Sequence, residues 1–372
     1  GEPVARAKLR SDRDRYPRRM NCAADATGSW RRKALALSLG GLALLAAGCA
    51  SGTTPPPRVA PTPRPTPAPP DRVVRVQVTE NGRHRIVVRD LEDYVVGSIL
   101  SETALAGLPA VAATHVARLQ AVLARTYAVA NLGRHAREGF DLCSETHCQV
   151  YRPPDAYPER FRSMARAAAA ETRGVILAYE GRPIQALFHS DCGGHTSDAG
   201  IVWGGVTPPY LLAVPDPVEA THRPWQFDLS AEQLREALNG DARTRVGNRV
   251  DRIDVVERDV AGRATRVVID GERAPMVRGE ELRAVLTAAF GARTVKSTRF
   301  DVRRDGNRFS FVGTGFGHGV GLCQVGAIAR ARRGESFVAI LGHYYAGARL
   351  EHLGRLRLTS RGPGARAGSA TP

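Results

Sequence analysis

Lysine is nearly missing from this 372-residue chain: there are three, Lys8, Lys33 and Lys296, so arginine supplies almost all of the 53 basic residues set against 37 acidic ones. The arginines are scattered rather than run together, which argues against a dedicated nucleic-acid site despite a formal charge of +16. Cysteine is also sparse, and six in the whole chain are too few for a disulfide scaffold. Only residues 34–47 make an extended apolar run, shorter than the roughly 20 residues a membrane-spanning helix needs, so a polytopic membrane protein is excluded. What the chain does have is 43% hydrophobic residues spread along its length, enough for a core of one large or two modest domains.

The short apolar run reads as part of an export signal. Arg31, Arg32 and Lys33 precede it as a positive region, and Gly48 and Cys49 follow it as a small residue before cysteine. The segment resembles a bacterial lipoprotein signal, with Leu45 one step further from Cys49 than usual and Ala46 in its place. The resemblance implies lipidation at Cys49 and a periplasmic or cell-envelope location. A start at Met20 fits this signal region, residues 1–48. Its removal takes ten basic and four acidic residues and leaves +10 on the remainder. For an exported chain of that charge, cell-wall glycan, anionic lipid headgroups and acidic polysaccharide are the fitting partners. Residues 49–72, rich in proline, read as an extended, semi-rigid tether between an anchored Cys49 and a domain that begins at Val73. Residues 359–372 read as a disordered tail.

Within the domain, residues 73–78 and 85–88 read as a strand pair about Asn81 and Gly82. A helix is expected next, capped by Asp90 with Asp93 completing a capping box, and Leu91, Val95, Ser98 and Glu102 fall on one stripe at helical spacing. A second, alanine-rich helix is expected from Leu108 and Pro109 to Leu132, closed by Gly133. A third runs from about 158 to 171, and residues 175–188 read as a hairpin. From 221 to 311 short strands (250–258, 264–269) alternate with small helices (231–238, 279–290), a candidate strand-rich sub-domain. A glycine-rich loop and a helix complete residues 311–350. The fold class expected is α+β: a helix-rich part carrying Glu102, a strand-rich part, and a glycan groove between them.

Three segments carry the chemistry: residues 91–102 (LEDYVVGSILSE), 119–127 (LQAVLARTY) and 313–327 (GTGFGHGVGLCQVGA). With residues 188–194 (FHSDCGG) and 343–347 (HYYAG), they resemble, in order and over nearly the whole of residues 73–358, the stage II sporulation protein D (SpoIID) and LytB family. That resemblance implies a lytic transglycosylase, which cuts peptidoglycan glycan between N-acetylmuramic acid and N-acetylglucosamine after the peptides have been stripped. It also implies an alternative, a non-catalytic module that stimulates a cell-wall amidase, so glycan strands and an amidase are the expected partners.

The family's catalytic acid falls on Glu102. A carboxyl on the inward stripe beside Val95 and Ile99 would be desolvated and its pKa raised, as a general acid near neutral pH requires. The competing reading pairs Glu102 with Arg125. A hydrolase needs two carboxylates at the bond, whereas a transglycosylase manages with one, because the substrate's own C6 hydroxyl is the nucleophile. Arg125 could bind the lactyl carboxylate of muramic acid and Gln120 a sugar amide, or both could satisfy buried backbone groups. Gly315, Gly317, Gly319 and Gly321 around His318 suggest a backbone that a ligand approaches closely. His189, Ser190, His318, Gln324 and Tyr345 are the remaining substrate-binding candidates.

Cys143, His147 and Cys148, with His135 upstream, lie in a segment at which, the resemblance implies, some members of the family bind zinc. They offer either a closed structural zinc site or a Cys143–Cys148 disulfide, and Cys192 with Cys323 offers a second bridge. No cofactor is required for catalysis in this reading.

Overall fold

The computed structural model of the chain describes residues 72–80, 82–216 and 222–356. The signal region, Cys49, the tether apart from Arg72, and the tail lie outside them. Among the described residues no helix is long and apolar enough to cross a membrane.

Strands Val73–Glu80 (β1) and Arg83–Asp90 (β2) pair antiparallel, and the alternation of Val74, Val76 and Val78 turns one face of β1 into the core. β2 runs straight into helix Leu91–Glu102 (α1). Asp90 caps it as expected, but by a single 2.8 Å bond from the Glu92 amide rather than a box shared with Asp93. Every residue from Tyr94 to Leu100 is buried, so the middle of α1 is enclosed on all sides rather than along one stripe. Burial relaxes at the two ends, at Glu92 and the exposed Asp93 in the first turn and at Ser101 and the half-buried Glu102 in the last.

Helix Ala110–Asn131 (α2) is the central rod of the helical layer, and most of its residues from Ala112 to Ala128 are buried. Its small side chains let α1 and helix Glu159–Glu171 (α3) lie close on it. Between α2 and α3, the two-residue strand Leu142–Cys143 (β3) joins β1 in parallel. Strand Val175–Tyr179 (β4) follows. The hairpin expected here is reduced to two pairs with Arg182–Pro183 (β5): the Ile184 amide still reaches the Leu177 carbonyl at 3.1 Å, but the Leu177 amide goes to Thr126 Oγ1 at 2.9 Å instead of continuing the ladder. Residues Phe188–His189 (β6) leave it for a different partner further along the chain.

After the short helix Ala199–Trp203 (α4) comes a second core. Strands Pro224–Ser230 (β7), Val250–Arg258 (β8), Ala264–Gly271 (β9), Met276–Arg278 (β10), Phe300–Asp305 (β11) and Arg308–Thr314 (β12) form two sheets, β10-β9-β8 and β11-β12-β7. Helices Ala231–Asn239 (α5) and Gly279–Phe290 (α6) pack on them, around a hydrophobic cluster drawn from residues 225–311 alone. The chain then returns to the first core. Leu322–Cys323 (β13) pairs in parallel with β6, and helix Gln324–Arg332 (α7) packs on α2. The single helix expected after the glycine-rich loop is two: Gly334, at φ +87°, ends α7's extension, and Ser336 caps Phe337–Tyr344 (α8) through the Ala339 amide. Arg349–His352 (β14) closes against β4. The architecture is α+β.

Candidate active site

Glu102 is the last residue of α1. Its Oε1 accepts a 2.6 Å hydrogen bond from the Val150 amide, and its carbonyl accepts a 2.9 Å bond from Gln324 Nε2 at the start of α7. Burial raises the carboxyl pKa from 4.5 to about 7, against the opposing pull of the Val150 amide. The carboxyl also stands at the negative end of the α1 dipole, which disfavours its charged form in the same direction. Arg125 does not neutralise it.

The loop that supplies Val150 is docked on α1 by several contacts. Tyr94 and Tyr151 stack with ring centroids 5.2 Å apart, and the Tyr94 hydroxyl donates to Gln149 Oε1 at 3.0 Å. A Cβ at Gly97 would strike the Tyr151 ring and the Arg152 carbonyl, so the close approach needs glycine there. Next to Glu102, Ser101 Oγ accepts from the Arg152 amide at 3.0 Å and from the Tyr157 hydroxyl at 3.1 Å. α1 and this loop therefore present Glu102 as one unit.

The cysteine and histidine side chains gather in the same loop. One ligand atom from each of His135, Cys143, His147 and Cys148 lies within 4.8 Å of all the others. Cys143 and Cys148 stand side by side in this cluster, the pair for which the sequence allowed either a zinc site or a disulfide. His147 Nδ1 is 3.7 and 3.6 Å from the two sulfurs, and His135 Nε2 is 3.3 Å from Cys148. A disulfide has no use for two imidazoles aimed at its sulfurs, whereas two thiols and two imidazoles are the donor set of a closed zinc site. His135 Nδ1 meets Glu138 at 2.8 Å, the carboxylate contact that orients a metal-binding imidazole.

Several expected substrate-binding residues occupy other places. Arg125 is fully buried and forks onto Glu92, Nε to Oε1 at 2.9 Å and Nη2 to Oε2 at 2.6 Å, while Nη1 donates to the Val175 carbonyl at 2.9 Å. Its donors are spent on holding α1, α2 and β4 together, and none is left for a lactyl carboxylate. Glu92→Gln should leave that guanidinium buried and unpaired, at a cost of about 3–5 kcal/mol; urea unfolding of the variant reads this directly. Gln120 is also fully buried, and neither amide atom has a partner. Tyr345 is fully buried with its hydroxyl on the Leu187 carbonyl at 2.6 Å. His189 is buried and neutral, its Nδ1 on the Val320 carbonyl, because burial lowers its pKa far below the usual range. Both His318 nitrogens are committed to backbone, Nε2 to the Phe188 carbonyl and Nδ1 to the Val320 amide, and burial drives its pKa down to about 3. Only its ring remains to face a ligand. Ser190 is half-exposed, and Gln324 is the wall candidate that touches Glu102.

The four glycines around His318 are required for an internal reason. Gly315, Gly317, Gly319 and Gly321 all have φ between +69° and +104°. Beneath Gly319 lies the guanidinium of the buried Arg263, which reaches from the β8–β9 turn to the Gly317 carbonyl at 3.0 Å. Gly319 thus makes room for the protein's own arginine, while a Cβ at Gly317 would strike His189 and one at Gly321 the Leu187 carbonyl. Sequence reasoning also missed Trp203, a half-buried ring 5.2 Å from His318, and the Val150 amide, a backbone donor with no side-chain signature.

Residues 79–179, which include Glu102 and the metal-type cluster, match the family model for stage II sporulation protein SpoIID, and residues 215–321 match a domain of unknown function, DUF8618. The chain is 28% identical to stage II sporulation protein D of Bacillus amyloliquefaciens over 290 residues, covering 74% of this chain and 78% of that one. It is 32% identical to an uncharacterized protein of Brachyspira hyodysenteriae over 271 residues, 70% of this chain and 67% of the other. The chain belongs to the SpoIID/LytB family. The amidase enhancer of Bacillus subtilis is similar as well, at 28% identity, with 39% of its length covered. In this SpoIID/LytB member the DUF8618 match coincides with the second hydrophobic core, and that core contributes Arg263 to the glycine-rich loop.

Proposed function

We propose that this protein is a peptidoglycan lytic transglycosylase acting on peptide-stripped glycan, with Glu102 as its acid and base. One observation carries the reading: a half-buried carboxyl held protonated up to about pH 7 by burial, at a helix end braced by a loop and by Gln324. Protonated Glu102 gives its proton to the glycosidic oxygen as the bond from the muramic-acid C1 breaks. The C6 hydroxyl of the same sugar attacks C1, and its proton passes to the Glu102 carboxylate, so the acid is regenerated and the product ends in a 1,6-anhydro ring. One carboxyl suffices, in keeping with a hydrogen-bond network about Glu102 that holds no second carboxylate among the described residues. Trp203 and the His318 ring would form an aromatic wall for the sugar faces.

His135, Cys143, His147 and Cys148 would hold a structural zinc. Bound there, the ion ties the loop together and leaves no open position for chemistry.

Similarity to the amidase enhancer supports a second reading, a glycan-binding module that stimulates an amidase. Mass spectrometry of products from stripped glycan and from intact sacculi separates the two. Anhydro-ended fragments from the stripped glycan are expected; binding without any cleavage would favour the amidase-stimulating module, and reducing ends would mean a hydrolase.

A further inference from the structure

Cys192 and Cys323 are free thiols in the structure, both fully buried, and they stand in the two motif segments that β6 and β13 bring side by side. The Cys192 amide donates to Cys323 Sγ at 3.2 Å across 131 residues of sequence. The two sulfurs and a ring nitrogen of His189 lie within 4.8 Å of one another. Each sulfur is also held by a backbone donor on its own segment, Gly194 N to Cys192 Sγ at 3.2 Å and Gly326 N to Cys323 Sγ at 3.3 Å. We propose that Cys192 and Cys323 form an intramolecular disulfide that staples the loop after β6 to the N-terminus of α7.

The surroundings differ from those of the first cysteine cluster. There, two imidazoles complete four donors. Here His189 is the imidazole near both sulfurs, with its other nitrogen on the Val320 carbonyl, and His222 comes near Cys192 with its Nδ1 held by Asp191 at 2.5 Å. Bridging leaves no buried acceptor stranded. Cys192 Sγ lies 3.6 Å from Asp216 Oδ2, and when the thiol proton is lost that oxygen keeps the Tyr344 hydroxyl at 2.6 Å. The bond forms by exchange with a small external disulfide: the two thiols lose two protons and two electrons, the S–S bond forms, and the oxidant leaves as two thiols. Because both sulfurs are sealed in the folded chain, the exchange belongs to folding, before β13 closes on β6. The staple stands one residue from Gln324, so it fixes the start of α7 whose side chain holds the Glu102 carbonyl. It does not depend on the glycan-cleaving reading.

The test is peptide mapping of the full chain, refolded in oxidised and reduced glutathione, denatured, and labelled with a maleimide at free thiols. The expected result is one linked peptide pair joining Cys192 to Cys323, about 2 Da lighter than the two thiol peptides together and lost on reduction with a phosphine. Phosphine is also expected to lower Tm by roughly 10 °C, given a closed loop of this length, and to leave a Cys192→Ser/Cys323→Ser variant unmoved. Maleimide on both cysteines of the unreduced wild type would overturn the proposal. So would a link from either to Cys143 or Cys148, or loss of bound zinc in the double variant with no linked pair in the wild type, which would make this a metal site with His189.

Discussion

Glu102→Gln is expected to lose about 10²- to 10⁴-fold in the rate of anhydro-product formation, the range a positioned general acid supplies. Glutamine keeps the size of the side chain and an oxygen to accept the Val150 amide, but it has no proton of the required acidity. Retained binding of stripped glycan with lost turnover would mark a chemical defect rather than a folding one. The pH profile gives an independent reading. The competent state is the protonated one, and burial puts its pKa at about 7, so the wild-type rate should hold below that value and fall about tenfold per pH unit above it. An ordinary exposed glutamate would lose its proton near 4.3 and leave little general acid at neutral pH. A wild-type limb near pH 4 would therefore show that Glu102 is not held as the structure holds it. Glu102→Asp, which keeps the acid but withdraws it by one methylene from Val150, should keep the form of the limb at a reduced rate.

The helix bearing Glu102 was legible because its cap, length and acid all lie within thirteen consecutive residues, and strand and helix boundaries such as 250–258 and 279–290 follow from local pattern in the same way. What was not legible depends on residues distant in sequence. Arg125 in an apolar helix looks like a ligand-binding arginine until Glu92, 33 residues earlier, is seen to take both arms of its fork. Glu92 itself, in the first turn of a helix, reads as a residue placed for the helix dipole. The alternating glycines suggest an open backbone, and only the fold shows that Arg263 from the second core lies against Gly319, and His189 and the Leu187 carbonyl against Gly317 and Gly321. A hairpin over 175–188 is a sound local reading that lost to non-local pairing: β14 takes one edge of β4, and β6 pairs with β13, Phe188 opposite Leu322 and His189 opposite Cys323. Histidine is the hardest of the side chains to read in sequence. His189 and His318 sit in motifs that promise ligand contact, yet both spend ring nitrogens on backbone groups, His189 on the Val320 carbonyl and His318 on the Phe188 carbonyl and the Val320 amide, so each holds the other's segment.

Replacing Cys143 and Cys148 together with serine is expected to abolish binding of about one zinc per chain and to lower Tm by roughly 10–20 °C. The magnitude follows from the nature of the site. Structural zinc contributes on the order of 10 kcal/mol or more to small zinc-dependent folds; in a domain with its own core a fraction of that remains, about 5 kcal/mol, and each kcal/mol moves Tm by about 2–4 °C at this size. The damage should be local first. The loop from Ser144 to Tyr151 is closed by the Tyr151 amide on the Ser144 carbonyl; its far end is docked on α1 through Tyr94 and Glu102, and the cluster ties down its near end at Cys143, His147 and Cys148, next to the Gln149 and Val150 contacts. Hydrogen exchange should therefore quicken at the Val150 and Tyr151 amides before α2 responds. Removing the metal with a chelator from the wild type, without reductant, should reproduce both effects, and serine in place of the thiols should make the chain indifferent to chelator. A chain that carries no zinc, ignores the chelator and loses the same stability to phosphine would instead hold a Cys143–Cys148 disulfide, and the convergence of His135 and His147 on those sulfurs would then need another cause.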